Sequence, residues 1–206
     1  MADQAVHPSS AGSDAGRGTS RWRTVDIVVT AVLGVAFGVV FWAWGLLWAA
    51  LDAPFTAFPP GQAVMYGVWL LPAVLAPLIV RKAGAGLFAE FIAAVVSALL
   101  GSAWGTLVLL QGLVQGVGGE AGFAAFCYRR WGWPQALLAA LGAGIAAALF
   151  DLVNYYADWA GTWQLTYVVL VAVSTMVIAG AGGMWLRRSL GATGALSAFP
   201  AGRTRV

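Results

Sequence analysis

Six long apolar runs, separated by short polar stretches, are the feature of this sequence that most limits its possible folds. They cover residues 26–50, 62–80, 85–100, 106–127, 134–156 and 163–186. A helix needs about 20 apolar residues to cross a bilayer, and no run alternates between apolar and polar residues as a barrel strand does. Only 9% of the 206 residues are charged, whereas a soluble domain carries about 25%. The sequence therefore predicts an all-α, polytopic membrane bundle of six transmembrane helices and argues against a soluble enzyme.

Lysine and arginine occur in short groups that all fall on one side of such a bundle. They precede the first run and follow the second, fourth and sixth: Arg21, Arg23, Arg81, Lys82, Arg129, Arg130, Arg187 and Arg188. The charged residues predicted for the opposite side are Asp52 and Asp158. Because cytoplasmic loops are enriched in basic residues, we predict a plasma-membrane protein with both termini in the cytoplasm. Residues 1–20 are predicted to be a disordered cytoplasmic tail, 21–190 the helical domain, and 191–206 a flexible cytoplasmic tail.

The rarest residue types exclude several kinds of chemistry. Cys127 is the single cysteine and His7 the single histidine, so metal sites and catalytic triads built on these residues are excluded. A phosphate-binding P-loop requires Gly-Lys-Ser/Thr, and the single lysine, Lys82, follows an arginine. We therefore predict no enzymatic activity, no cofactor and no metal. Any uphill transport must then be driven by an ion gradient or by partner ATPases.

Three carboxyl groups lie inside the apolar runs, at Glu90, Glu120 and Asp151. No Lys, Arg or His lies in any run, so the sequence provides no cationic partner at their depth. Acidic residues in a membrane are costly and usually face a cavity or a partner. Each is interpreted either as a neutral acid that ties two helices together or as a group that contacts a ligand.

Amide and aromatic side chains accompany these acids. Gln111 and Gln115 are four residues apart and share a helix face, whereas Glu120 lies about 180° from Gln111 on an ideal helix. It shares their cavity only if the intervening glycines break the helix. Asn154 and Tyr155 share a face with Asp151. Together these groups predict a polar pocket in the outer half of the bundle, with hydrogen bonds between helices as the alternative.

Two of the eleven tryptophans, Trp44 and Trp104, add aromatic surface toward the outer side. An indole wall beside carboxylates suits a flat heteroaromatic ligand that is cationic or carries an amine. For each ring, packing against lipid or other helices is the alternative interpretation.

A stripe of small residues runs along the first helix, at Ala31, Gly34 and Gly38. Such a stripe lets another helix approach closely. It serves either packing inside the bundle or contact with a partner subunit.

The stretch LFAEFIAAVVSALLGSAWGTLVLLQGLVQGVGGEAGFAAFCYRRW at 87–131 resembles the YkoE-type substrate-binding (S) components of energy-coupling factor (ECF) transporters. The stretches DIVVTAVLGVAFGVVF at 26–41 and RKAGAGLFAE at 81–90 are similar as well. The resemblance covers most of residues 21–188.

The resemblance implies a six-helix protein that captures a vitamin near the extracellular side and delivers it within a complex of a transmembrane T component and two ATPase domains. It associates the YkoE type with thiamin or its hydroxymethylpyrimidine precursor. It assigns contact with the T component to small residues of the first helix, here Ala31, Gly34 and Gly38. With the pocket predicted above, the candidate substrate-binding residues are Glu90, Gln111, Gln115, Glu120, Asp151 and Asn154, with Trp44, Trp104 and Tyr155 for stacking.

Three alternatives stay open at this point. The chain is an S component for a different vitamin, a stand-alone small channel or secondary transporter, or a membrane scaffold in which the carboxyl groups only pack.

Overall fold

The computed structural model describes residues 21–197 and 199–203, so the predicted N-terminal tail lies outside the described residues. The described part is helical and contains no strand. Six helices form the bundle: α1 Thr24–Ala50, α2 Pro59–Val80, α3 Ala85–Leu99, α4 Leu107–Ala124, α5 Trp133–Asn154 and α6 Gly161–Ala192. All but α3 are long and apolar enough to cross a membrane, and α3 is a shorter apolar helix.

Helix α2 changes its winding in the middle. It is a 3-10 helix over Pro59–Leu70 and an α-helix over Leu71–Val80. The sequence places Pro72 and Pro77 in this segment, and a proline removes one backbone donor from a helix interior. The change occurs next to Pro72, where the regular backbone ladder cannot continue unchanged.

Helices α1 and α3 pack through the small-residue stripe. A side-chain carbon added at Gly34 would lie 2.7 Å from Ile92 Cβ, and one added at Gly38 would lie 2.9 Å from the Ala93 carbonyl oxygen. Both glycines are buried, whereas Ala31 is partly exposed. The structure therefore uses these two glycines for packing inside the bundle, which is the first of the two alternatives for the stripe.

Helices α4 and α5 also approach closely at glycines. An added carbon at Gly118 would lie 2.8 Å from Ala146 Cβ, and one at Gly122 would collide with the backbone of Ala139. This contact fixes the rotation of both helices about their axes, and with it the direction of the polar side chains that each carries.

At the start of α1, Arg23 forms an ion pair with Asp26, with 2.7 Å between Nη2 and Oδ1. The chain after α6 differs from the predicted flexible tail. Leu196 and Phe199 are buried in a small apolar cluster with Ile79 and Val80, and a short helix covers Pro200–Arg203. Two apolar residues give no periodic signal in a sequence rich in Gly, Ala and Ser, but they are enough to anchor the segment to a helix end.

Candidate functional site

A cavity of about 550 Å³ lies at the end of the bundle where α1 ends and α6 begins. Its walls are mainly aromatic. The indoles are Trp48, Trp69 and Trp104, and the phenols are Tyr66, Tyr155, Tyr156 and Tyr167, with Phe41 beside them. Its polar side chains are Ser97, Gln111, Gln115 and Asp151. The cavity therefore combines flat apolar surface with a few directed polar groups, as small-molecule sites do.

Asp151 is the centre of the polar wall. Its Oδ1 accepts a hydrogen bond of 2.8 Å from Gln111 Nε2, and its Oδ2 accepts one of 2.7 Å from the Tyr167 hydroxyl. The Tyr66 hydroxyl also donates to this carboxylate, so about one of its four lone pairs is left for a ligand donor. No Lys, Arg or His lines this cavity among the residues that the structure describes. The site therefore presents a carboxylate whose partners are all neutral.

The two glutamines of α4 reach the same phenol. Gln111 Nε2 donates to the Tyr66 hydroxyl at 2.8 Å and Gln115 Nε2 at 3.3 Å. Gln111 thereby uses both amide hydrogens on protein groups. Gln115 keeps one amide hydrogen, and its carbonyl oxygen accepts no hydrogen bond from the described residues. An amide with one free donor and one free acceptor can read a ring nitrogen and an amine together.

The 3-10 winding of α2 brings Tyr66 and Trp69 into this cavity. Side chains three residues apart eclipse each other in a 3-10 helix, so both rings point to the same side. The backbone of this stretch is held by Ser174 of α6, whose hydroxyl accepts from Gly67 N at 3.0 Å and donates to the Val64 carbonyl at 2.7 Å. An irregular helix in a membrane requires such internal partners.

The aromatic rings meet mainly edge to face. The Trp48 and Trp69 centroids are 5.0 Å apart, and those of Trp69 and Trp104 are 5.4 Å apart with the planes at 87°. These spacings lie in the range where the edge of one ring contacts the face of the next. The rings thus support one another, so they form a wall of fixed shape.

Five of the nine residues that the sequence predicts for the site line this cavity. They are Trp104, Gln111, Gln115, Asp151 and Tyr155. The other four, Trp44, Glu90, Glu120 and Asn154, do not line it, and each has a contact elsewhere that explains its position.

Glu90 accepts a hydrogen bond of 3.1 Å from the backbone N–H of Ala73, and it is fully buried. Ala73 lies in the first turn of the α-helical half of α2, where a backbone donor has no acceptor within the helix. Glu90 therefore provides the hydrogen-bond acceptor that the Ala73 N–H lacks next to Pro72. Its other oxygen, Oε1, has no hydrogen-bond partner in the described part of the chain.

Glu120 joins the end of α4 to the start of α3. Its two oxygens accept hydrogen bonds from Gly84 N at 3.0 Å, Gly86 N at 2.7 Å and the Tyr128 hydroxyl at 2.8 Å. Burial and this hydrogen bond raise the pKa of Tyr128 to about 12, so the phenol keeps its proton at neutral pH. A carboxylate at a helix N-terminus satisfies donors that otherwise lack acceptors. Helix α4 is continuous, so the break that would turn Glu120 toward the glutamines is absent.

Trp44 and Asn154 also bind backbone. Trp44 Nε1 donates to the Met65 carbonyl at 3.1 Å, which ties α1 to α2. Asn154 is exposed, and its amide donates to the Phe150 carbonyl at 2.8 Å at the end of α5. Neither side chain contributes to the wall of the cavity in this arrangement.

Sequence reasoning missed several aromatic residues that line the cavity. Tyr66 and Trp69 are three residues apart, which indicates a shared face only if the segment is a 3-10 helix. Tyr156 lies in the turn between α5 and α6, and Tyr167 lies in the second turn of α6. Tyr155 and Tyr156 follow Asp151 by four and five residues, and this short spacing could have indicated Tyr156. Nothing in the sequence links Tyr167 to the Asp151 carboxylate.

Comparisons with known proteins agree with this architecture. A model of the family described as the permease component of ABC-type cobalt transport systems matches residues 25–146. A protein of Bacillus subtilis (strain 168), described as a candidate HMP/thiamine permease protein, YkoE, is 34% identical over 186 residues, covering 88% of this chain and 91% of that protein. A crystal structure of an S-component of an ECF transporter matches with a TM-score of 0.85 and 33% identity, covering 89% of this chain and 92% of that chain.

These relatives are transport proteins and not enzymes. The family model matches more than half of the chain, and the curated relative exceeds 30% identity over most of its length. The resemblance found in the sequence is confirmed: this multi-pass membrane protein belongs to the YkoE-type S components of ECF transporters.

Proposed function

We propose that this protein is the substrate-capture subunit of an ATP-driven ECF importer for thiamin or its hydroxymethylpyrimidine precursor. The observation that carries the proposal is Asp151, a buried carboxylate with neutral partners in an aromatic cavity. The curated relative described as a candidate HMP/thiamine permease supports the choice of substrate. The aromatic walls favour an organic ring over a metal ion, and the described residues contain no group of three or more His, Cys, Asp or Glu side chains that could hold a metal.

The proposed contacts follow from the donors and acceptors left open. The exocyclic amine of an aminopyrimidine donates to Asp151, and a ring nitrogen accepts from the free amide hydrogen of Gln115. Trp104 and Tyr155 provide ring faces beside them. The fixed positive charge of thiamin is favoured by the carboxylate and by the faces of the indoles.

The proposal includes six membrane-spanning helices with both termini in the cytoplasm. Side-chain contacts bring the basic ends of the helices together: Trp22 Nε1 donates to the Ala83 carbonyl, and Arg187 Nη1 donates to the Trp131 carbonyl. The cavity lies at the opposite end, where α1 ends at Ala50. Helix α3, about 22 Å long at 1.5 Å per residue, is the shortest span. The positive-inside rule then places the cavity toward the extracellular side.

A labelling experiment tests this orientation. Cys127 is the single cysteine and is exposed at the basic end of the bundle. We expect it to resist a membrane-impermeant maleimide in intact cells and to react after permeabilisation. In a Cys127→Ser background, Asp158→Cys should react in intact cells. The opposite pattern would refute the orientation.

Binding to the purified protein tests the function itself. Thiamin and hydroxymethylpyrimidine should each bind in titration calorimetry, and mass spectrometry of the protein as purified should identify the ligand it carries. Biotin, an anionic vitamin, is the control and should not bind. A different vitamin found in the protein would refute the substrate assignment but leave the class of transporter intact.

Partner dependence separates an ECF subunit from a stand-alone transporter. We propose that the chain assembles with a T component and two ATPase domains, which hydrolyse the ATP. Uptake in cells should require these partners and stop when their ATPase activity is removed by mutation. Uptake that persists with an ion gradient alone would refute this part of the proposal.

A further inference from the structure

A second cavity, open to solvent, lies next to the site described above. Its walls come from the end of α1, the short helix Asp52–Phe55, the start of α2 and the turn between α5 and α6. Three of its rings are Trp48, Tyr156 and Trp159. Asp52 provides a carboxylate in the same wall. The outer cavity thus repeats, at the surface, the combination of carboxylate and aromatic rings found inside.

The two cavities share two residues. Trp48 and Tyr156 line both of them, so the two cavities are adjacent at this pair of rings. Tyr156 is stacked on Trp159 with centroids 4.2 Å apart and planes at 25°. The end of α1 is held by Gln62, whose amide donates to the Trp48 carbonyl at 2.6 Å. Trp48 and Tyr156 therefore lie at the boundary between the two cavities.

Both cavities are acidic. Asp52 is exposed and forms no ion pair with the described residues, and neither cavity is lined by a Lys, Arg or His that the structure describes. Burial raises the pKa of Tyr156 to about 12, and the charges of Asp151 and Asp52 act in the same direction. Tyr156 therefore lies within the electrostatic reach of both carboxylates, one in each cavity.

From this arrangement we infer that the outer cavity is an entry site for a cationic aromatic substrate. The carboxylate of Asp52 attracts the positive charge, and the ring packs against the aromatic pair of Tyr156 and Trp159. The substrate then passes between Trp48 and Tyr156 to Asp151. This inference rests on the proposed function, since it requires that the inner cavity bind such a substrate.

Association kinetics test the entry site. Thiamin is mixed with the purified full-length protein at pH 8 and low salt, and tryptophan fluorescence is followed by stopped flow. We expect Asp52→Asn to lower the association rate constant by about three- to tenfold, because a charge at the mouth of a site raises the encounter rate. The dissociation rate constant should not change. About 0.5 M salt should remove the difference, because it screens exposed charges.

Two controls distinguish a local site from a general effect of charge. Asp158→Asn removes an exposed carboxylate from the same side of the protein, but Asp158 lines neither cavity, so its association rate constant should fall by clearly less than that of Asp52→Asn. The uncharged hydroxymethylpyrimidine should associate equally fast with Asp52→Asn and with the wild type. Both positions are exposed, so neither variant is expected to lose its fold.

The possible results lead to different conclusions. An unchanged association rate constant in Asp52→Asn, or an equal loss in Asp158→Asn, overturns the entry site while the inner site and the proposed function stand. A wild-type protein that binds neither thiamin nor hydroxymethylpyrimidine overturns the proposed function and the entry site with it.

Discussion

Replacing Asp151 by asparagine is the most direct perturbation of the proposed site. The side chain is 3% exposed and accepts hydrogen bonds from Gln111 and Tyr167. Asparagine has nearly the same volume but no charge, and its amide nitrogen donates. Both neighbours donate to the present carboxylate, so one of these bonds must be lost or reversed. The substitution therefore changes the chemistry of the cavity with little change in its shape.

The expected loss of affinity follows from two contributions. A hydrogen bond between the ligand and a charged group contributes about 1.5–3 kcal/mol. A unit positive charge about 5 Å from the carboxylate adds roughly 3 kcal/mol at an effective dielectric constant of about 20. Since about 1.4 kcal/mol is a factor of ten, hydroxymethylpyrimidine should bind about 10- to 100-fold more weakly. Thiamin, which has both contributions, should bind about 1,000-fold more weakly or worse.

Titration calorimetry in detergent measures both affinities, with Glu120→Gln as the matched control. Glu120 is also a buried carboxyl group, but it binds Gly84, Gly86 and Tyr128 and does not line the cavity. Its conversion to an amide should lower the melting temperature and leave the affinity within about threefold of the wild type, since the cavity walls are unaffected. Wild-type affinity of a folded Asp151→Asn protein for both ligands would refute the reasoning, as would an equal loss in the control.

Three further predictions concern packing, backbone support and substrate charge. Gly38→Ala should destabilise the protein by about 1–3 kcal/mol, because the new methyl group meets the Ala93 carbonyl at 2.9 Å. This loss should appear as a lower melting temperature in detergent, whereas Ala31→Leu, at a partly exposed position, should be tolerated. Equal melting temperatures of the two variants would contradict the assigned packing. Ser174→Ala should destabilise the protein by about 1–3 kcal/mol, because it leaves backbone groups of the 3-10 helix without a partner. Thr166→Val, at a partly exposed position, should not destabilise it, and the melting temperature in detergent tests both variants. Thiamin monophosphate should bind at least tenfold more weakly than thiamin in calorimetry, because no described cationic side chain lines the inner cavity; equal affinities would show that the phosphate remains in solvent.

Part of the site was predictable because one helix presents it. Gln111 and Gln115 are four residues apart on a continuous α-helix, so their common direction follows from the helical repeat. Asp151 was conspicuous because a carboxyl group in an apolar run requires an explanation. These inferences need only the chain itself and the geometry of a regular helix.

The roles of the other two intramembrane acids could not be predicted in the same way. Glu90 and Glu120 have the same signal as Asp151, a carboxyl group within an apolar run. Glu90 and Glu120 differ from Asp151 in that each accepts a hydrogen bond from a backbone N–H. The donor is Ala73, at the change of winding in α2, for Glu90 and Gly84, at the start of α3, for Glu120. Both acceptors serve donors on neighbouring helices, and no spacing along the chain reveals such a pairing.

The sequence by itself determined the class of protein and its family. Hydropathy and the distribution of basic residues along the chain decide which segments leave water, because that transfer depends on composition within each segment. The tertiary structure decided which polar groups face the cavity and which satisfy the backbone. That choice depends on how each helix is rotated, and the rotation is set by contacts between helices, such as the glycines of α1 against α3 and the 3-10 turns of α2 against Ser174.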